Sequence, residues 1–297
     1  MKTLLALVKR NTNLFFKDKG MFFTSLVTPL ILLVLYATFL SNVYEDTFRS
    51  ALETAPISVS DSLIWGCVGG ELASSLLAVA CITVAFCSNL LMVQDKISGA
   101  RNDLTISPVK KSVLALSYYL STLFITMIVC SVAYGVCLLY LKQIGWFLSL
   151  QDVFMIYLDI FLLVMFGTAL SSIINSFLST QGQMSAVGTI VSAGYGFLCG
   201  AYMPISQFSV GLQKLLSFLP GTYGTSLIRN HFMRGVFVEM KNQGFPGEVV
   251  EAIKDSVDCN LYFFDNKVEI NTMFLILIVT ILVLVLLYIV LNMLKKK

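Results

Sequence analysis

Charge is scarce in this sequence. Asp, Glu, Lys and Arg together supply 12% of its 297 residues, where a soluble domain carries roughly 25%. With 57% apolar residues and a mean hydropathy of +0.83, the chain cannot keep a wholly wet surface and belongs in a bilayer. Catalytic signatures are also missing. No HExxH, GxSxG or CxxC pattern occurs, which removes the common zinc, serine-hydrolase and dithiol sites. No glycine is followed by lysine, so there is no GxxxxGK[ST] loop to cradle ATP. There is a single histidine, His231, and with no nucleophile motif near it we expect it at a surface or interface. Six of the seven cysteines (Cys67, Cys81, Cys87, Cys130, Cys137, Cys199) fall in apolar runs, where free Cys acts as a small hydrophobe. Only Cys259 lies in a polar stretch, with Cys67 as the pairing to consider. No metal site is expected. Basic residues follow the membrane edge and form no continuous patch, so nucleic acid is not an expected partner.

What is abundant is long apolar runs. About twenty apolar residues cross a ~30 Å hydrocarbon core, and six runs qualify: 21–40, 62–93, 113–141, 153–178, 184–203 and 270–293. The first is too long for a signal-peptide core and is expected to be a retained span. The second, third and fourth exceed the need and should tilt or protrude. Short flanks on one side hold Lys2, Lys9, Arg10, Lys17, Lys19, Lys96, Arg101, Lys110, Lys111 and Lys295–Lys297, whereas the opposite short loops hold only Arg49 and Lys142. Both termini are therefore expected in the cytoplasm. Before the first span, Leu4, Leu7, Val8, Leu14 and Phe15 approximate an apolar stripe against Lys9, Arg10, Asn13 and Lys17, the pattern of an interfacial amphipathic helix. The predicted fold is an all-α polytopic membrane protein, a single domain over 1–297. It has an interfacial helix at 1–20, six spans, and a cytoplasmic loop at 94–112. An outer hairpin and cap occupy 204–269.

Within that outer segment, ISQFSVGLQKLLSFL (205–219) is apolar but too short to span. Pro220-Gly221 breaks it, and helical character resumes to about Arg234. Runs of this length suggest a re-entrant or interfacial hairpin. A short helix, EVVEAIKDSV, is expected beyond it.

Gly188, Ser192, Gly196 and Gly200 recur every four residues on the fifth span, and Ser74 and Ala78 belong to a weaker small face on the second. Such faces let helices approach closely. They serve packing within one subunit, a subunit interface or a substrate-lining wall. Two acids, Glu71 and Asp159, lie inside spans, roughly 9–14 Å below the outer surface at 1.5 Å per residue. Each costs about 2.5–3.5 kcal/mol at a span centre, so they either line a wet vestibule or bond to a neighbour.

The stretch QDKISGARNDLTISPVKK (94–111) carries six charges and must be wet, since burying them in hydrocarbon would cost more than about 15 kcal/mol. Gly99 can interrupt the preceding helix. Ser107 and Pro108 resemble an N-cap and first helical position. Lys110 and Lys111 then fall in a first turn, where the macrodipole disfavours cations. Anionic headgroups or an acidic partner would suit them better. The stretch is a stiff polar knob or a plain connector.

From Gly99 to Pro108 the residues read G-A-x-x-x-L-x-x-S-P. This resembles the loop after the second span in permeases of the ABC-2 type transporter family, G-T-x-E-x-L-x-x-[ST]-P. GAYMPISQFSVGLQKLLSFLPGTYGTSLIR (200–229) is similar to that family's outer signature, a proline after the fifth span, an apolar hairpin, then Pro and Tyr before Arg. Ala100, Asn102 and Ser117 depart from the family's usual Thr, Glu and Lys, so its salt bridges do not carry over in detail. The resemblance implies a permease subunit of an ABC exporter, paired as a homodimer or heterodimer in lipid. Two ATPase subunits would dock on its cytoplasmic side and hold the ATP and Mg, so this chain binds no cofactor itself. The docking elements would be Lys9 and Arg10, with Asp95, Gly99, Arg101, Asp103, Leu104, Ser107 and Pro108. The second and fifth spans would flank the pathway in a bacterial plasma membrane, with the outer hairpin as lid. The competing readings are an ion-coupled secondary transporter using Glu71 and Asp159, and a non-transporting membrane sensor or immunity protein.

Overall fold

In the computed structural model, which describes residues 2–52, 59–106 and 109–294, the apolar runs fold as helices. A backbone in hydrocarbon satisfies its hydrogen bonds only within a helix or a closed barrel. α1 (Lys2–Lys17) precedes α2 (Lys19–Leu35), whose start is capped by Asp18 accepting from the Met21 amide at 3.0 Å. A π-helical segment, Tyr36–Leu40, joins α2 to α3 (Ser41–Leu52) without a break. The first span thus does not end near residue 40 as expected. Its 34 residues extend about 51 Å, and the polar end of α3 projects beyond a ~30 Å apolar layer.

α4 (Asp61–Asn89), α5 (Leu91–Ile97) and α6 (Ala100–Ile106) follow, then α7 (Lys111–Ile144), α8 (Leu150–Phe177) and α9 (Gln181–Leu198). The start of α8 is fixed by a capping box between Ser149 and Asp152, which satisfies two otherwise orphaned amides. α10 (Val210–Leu216) and α11 (Pro220–Asn242) form the helical pair expected before the last span. Pro220 opens α11, where its missing N–H costs nothing. α12 (Gly247–Ser256) buries Val250 and Ile253. β1 (Leu261–Phe263) and β2 (Asn266–Val268) form an antiparallel hairpin, and α13 (Ile270–Leu294) ends the described chain. The hairpin was not expected. Its strands are three residues long, and its turn places Phe264 and Asp265 at φ 46° and 70°, a geometry ordinarily signalled by Asn-Gly.

Among the described residues five helical stretches are long and apolar enough to cross a membrane: Lys19–Leu52, Asp61–Ile97, Lys111–Ile144, Leu150–Phe177 and Ile270–Leu294. α9, at the expected fifth span, is 18 residues long and opens on Gln181, Gly182 and Gln183, which dilute its apolar character.

α4 is the axis of the bundle, and nearly every residue from Leu63 to Asn89 is buried. Its small residues admit neighbours at close range. Gly70 takes Met233 of α11, Gly69 takes Leu141 and Ile144 of α7, and Gly167 of α8 sits against the Cys81 carbonyl. At its C-terminal end Asn89 donates to Ser171 and Ser172 of α8 at 3.0 and 2.9 Å. All seven cysteines are free and buried. Tyr288, late in α13, donates to the Ala115 carbonyl early in α7 at 3.1 Å, and Leu7 of α1 packs with Leu114 and Tyr118 of α7. The N-terminal helix and the end of α13 therefore share one end of the bundle, together with α5 and α6. α3 and α12 meet at the other.

Two outcomes follow from this packing. A β-carbon at Gly235 of α11 would run into the Phe147 carbonyl oxygen, which cannot swing aside as a side chain would. Gly235→Ala should lower stability by about 1–3 kcal/mol, seen as a lower thermal midpoint in detergent, whereas Gly211→Ala in open space should not. On α12, Glu251 accepts from Lys254 at 2.7 Å and from Lys267 of β2 at 3.0 Å. First Lys254, then Lys267, lower its carboxyl from 4.5 to about 2. A carboxyl lowered by folding stabilises above its unfolded value, and that contribution is lost as pH falls through the folded one. Hydrogen exchange over residues 247–268 should accelerate between about pH 4.5 and 2, and Glu251→Gln should flatten that dependence.

Candidate functional site

The six-charge stretch is anchored on both flanks. Two neighbouring residues of α5 point to different helices. Asp95 takes a bidentate pair from Arg10 of α1 at 2.7 and 3.0 Å and a hydrogen bond from the Tyr118 hydroxyl of α7 at 2.6 Å. These bonds hold the Arg10 guanidinium above its ordinary pKa, and such two-pronged pairs fix geometry as well as energy. Lys96 donates to the carbonyls of Asn175, Ser176 and Leu178 at 3.2, 2.9 and 2.7 Å. It thereby caps the C-terminal end of α8, where the macrodipole favours a cation.

Gly99, at φ 82°, turns the chain from α5 into α6, a region of the backbone map that glycine occupies at little cost. No residue of α6 is buried. Leu104 is half-buried against Leu7, Met92, Leu114 and Tyr118, while Asn102 and Asp103 face outward and Ile106 is 84% exposed. Arg101 is half-buried, its charge acting on the Tyr118 and Tyr288 hydroxyls. Lys9 is exposed one residue from Arg10. Ser107 and Pro108 lie outside the described residues. The next helix begins at Lys111, with an extended Lys110 (ψ 137°) as N-cap, and not at the expected Ser107-Pro108.

Deeper in the bundle the acids are paired, and α11 supplies every partner. Glu71 of α4 meets Arg229 at 2.7 Å, both with fully buried side chains. Arg229 also donates to Ser75 Oγ and the Gly200 carbonyl at 3.0 Å each, and its Nη1 lies 3.6 Å from Asp258. Asp258 in turn accepts from the Ile205 and Ser206 amides at 2.6 and 3.1 Å. Asp159 of α8 meets His231 at 2.6 Å. Arg234 pairs with Asp152 and donates to Ser149 at 3.1 Å. His231 is thus buried in an ion-pairing site, not placed at a surface as expected: a carboxyl inside the bundle needs a donor, and it is the nearest one.

The small-residue stripe divides. Ser74 and Ala78 are wholly buried inside the chain. On α9, Gly188 and Ser192 line a groove of about 480 Å³ shared with Thr24, Thr28 and Ile31 of α2. Ile31, Ser192 and Ala193 also line a second cavity of about 770 Å³ that reaches Tyr44, Tyr202 and Val257, so the groove runs from Gln94 towards the end of α12. Gly196 is covered by the Tyr202 ring, and Gly200, at φ 74°, turns the chain after α9 and presents its carbonyl to Arg229. The acids were legible in the sequence; their partners were not. The available signal was that Arg229, His231 and Arg234 are strongly polar residues in a segment rich in apolar ones.

A family model described as ABC-2 type transporter matches residues 2–233. No curated protein matches the chain.

Removing one member of a buried ion pair strands the other charge. Arg229→Met should cost about 3–5 kcal/mol, and Glu71→Gln in the same chain should recover part of it. Thermal unfolding of the single and double variants in detergent measures this. Equal midpoints for the wild type and Arg229→Met would mean that the pair does not hold the bundle.

Proposed function

The chain belongs to the ABC-2 type transporter family, and we propose that it is the membrane-spanning subunit of an ABC exporter that works on ATP hydrolysed by a separate ATPase. One observation carries the proposal: α6 exposes its surface while α5 is tied by Asp95 and Lys96 to α1, α7 and α8. A free-standing connector needs no such anchorage. A surface that receives force does, because a push on α6 is useful only if it moves the spans.

In this reading α9 is the fifth of six spans, α10 and α11 form the outer re-entrant hairpin, and both termini are cytoplasmic in a bacterial plasma membrane. Two copies of an ATPase, carrying ATP and Mg, dock on α6 together with Lys9 and the Arg10 end of α1. The groove between α2 and α9 faces the second permease, identical or different, and the two grooves together enclose the pathway. Substrates with apolar surface suit walls made of Ile31, Gly188, Ser192 and Ala193. The paired state of Glu71 and Asp159 supports a structural role for them and weighs against an ion-coupled mechanism that needs a free carboxylate.

Leu104→Asp places a charge in the Leu7, Met92, Leu114 and Tyr118 cluster. It should weaken ATPase docking by about 2 kcal/mol or more, roughly 30-fold in affinity. Arg101→Ala with Asp103→Ala should leave ATP hydrolysis running without transport. Co-purification with the ATPase and transport in proteoliposomes read both. Normal transport by these variants would reduce the loop to a connector, and transport that persists without ATP but collapses with the proton gradient would sink the exporter reading.

A further inference from the structure

A separate groove of about 460 Å³ opens between the start of α7 and the end of α13, lined among others by Lys111, Ser112, Leu116, Tyr119, Ile289 and Met293. It lies at the bundle end that carries α1 and α6, and its size is that of a ligand site. We propose that this groove binds an anionic phospholipid, with the headgroup at Lys111 and the α7 N-terminus and an acyl chain along the groove.

Charge is the first argument. Lys110 and Lys111 form no ion pair among the described residues, and both are exposed. They occupy the N-cap and first position of a 34-residue helix, with no side-chain cap. The first amides of a helix lack the usual intrahelical partner; here Val113 donates to the Lys110 carbonyl at 2.9 Å, which leaves the Lys111 and Ser112 amides, and the positive end of the dipole repels two lysines placed there. An anion reverses the sign of both effects, since a helix N-terminus and nearby cations then act together. Arg101, whose charge acts on the Tyr288 hydroxyl, adds to the same field.

The second argument is independent of charge. Tyr119 is 8% exposed and lines the groove, yet its hydroxyl has no hydrogen-bond partner. Side chains on a helix lean towards its N-terminus, and the Tyr119 ring lies beside that of Tyr288 with centroids 6.3 Å apart, in the same groove that Lys111 lines. Its neighbour Tyr288 is already committed, donating to the Ala115 carbonyl at 3.1 Å. A buried phenol left unpaired costs about 1–3 kcal/mol, and a lipid phosphate or ester oxygen would accept its proton.

The occupant must be charged at one end and apolar below. Leu116 is 44% exposed, Ile289 48% and Met293 77%, and this face lies between two spans, within reach of the bilayer. A free phosphate would serve Lys111 and leave the phenol and the apolar wall unserved. A zwitterionic lipid supplies no net charge to offset the lysines. Basic pockets between spans bind acidic lipid headgroups on this logic. The inference stands on these residues alone and does not need the exporter reading.

The test is native mass spectrometry of the purified full chain in detergent. It would be titrated with phosphatidylglycerol or phosphatidylcholine of the same chain length, with and without glycerol 3-phosphate. Phosphatidylglycerol should be retained more tightly, and glycerol 3-phosphate should fail to displace it. Lys110→Ala with Lys111→Ala should weaken retention by about five-fold per cation removed, and added salt should weaken it in the wild type. Tyr119→Phe keeps the ring packing and should weaken binding without lowering the thermal midpoint. Ala115→Trp, which fills the groove, should abolish binding. Equal retention of the two lipids, or unchanged phosphatidylglycerol retention in the lysine variant, would overturn the proposal. So would displacement by glycerol 3-phosphate.

Discussion

A guanidinium sealed inside an apolar bundle must be answered at once, and the arrangement of the half of this protein that holds α11 and α12 follows from how Arg229 is answered. Its partners come from three places far apart in sequence: Glu71 on α4, the Gly200 carbonyl just after α9, and Asp258 beyond α12. Each is a point at which the chain must return to the same spot. Taking such charges out of water costs several kcal/mol per ion, and mutual attraction offsets this only when geometry and extra hydrogen bonds are good. Ser75, Ile205 and Ser206 supply those extra bonds. The hub is therefore weak as a source of net stability and strong as a specifier, because any packing that separates its members leaves a bare charge in the interior.

α11 extends the same logic along its length. Arg229, His231 and Arg234 each take a different acid, from α4 or from α8. α11 is thus pinned to both neighbours by polar pairs, and it makes close contacts at Gly70 of α4 and, through Gly235, at Phe147 just before α8. α4 links this fixed end of the bundle to the end that holds α1 and α6. Glu71 and Asp95 are 24 residues apart in α4–α5, about 36 Å of helix. Nearly all the intervening side chains are packed, and packed interiors transmit displacement with little loss. In the proposed exporter, a push on α6 moves α5, α5 moves α4, and α4 bears on the Arg229 hub below the outer cap. The apolar groove between α2 and α9 lies beside that line, where a small shift changes its width.

The sequence made the helices legible because hydrocarbon permits little else, and the helix limits of α7, α8 and α13 fall within a few residues of the apolar runs. It was less informative where local rules compete. Residues 41–52 look polar enough for a loop, yet they continue the first helix, since α3 buries Tyr44, Phe48 and Leu52 on one face that a charge count conceals. The β1–β2 hairpin escaped because Phe264 and Asp265 adopt positive φ without glycine. Arg10 and Asp95 were both singled out by position. That they bind one another was not readable, because they stand 85 positions apart and the chain between them carries no pairing signal. The Glu71–Arg229 contact, 158 positions apart in the chain, is hidden for the same reason. Patterns of period 3.6 report which face is apolar; they do not report which helix will cover it.

Position along the bundle decides what becomes of a cation here. In the interior Arg229 has protein carboxylates, because an unpaired charge there would cost too much to persist, whereas Arg234 meets the buried Asp152 from an exposed position on α11. At the end that holds α1 and α6 the constraint relaxes. Arg10 and Lys96 are still spent inwardly, on Asp95 and on the end of α8, and these are the contacts that hold α5 still. Lys9, Lys110 and Lys111 are exposed and form no ion pair among the described residues. Water alone would tolerate them. Two of them stand at a helix N-terminus that repels them, however, which is a poor choice unless something anionic shares the site. The division between cations that build the fold and cations left outside it separates the residues that make this protein from those that meet its surroundings.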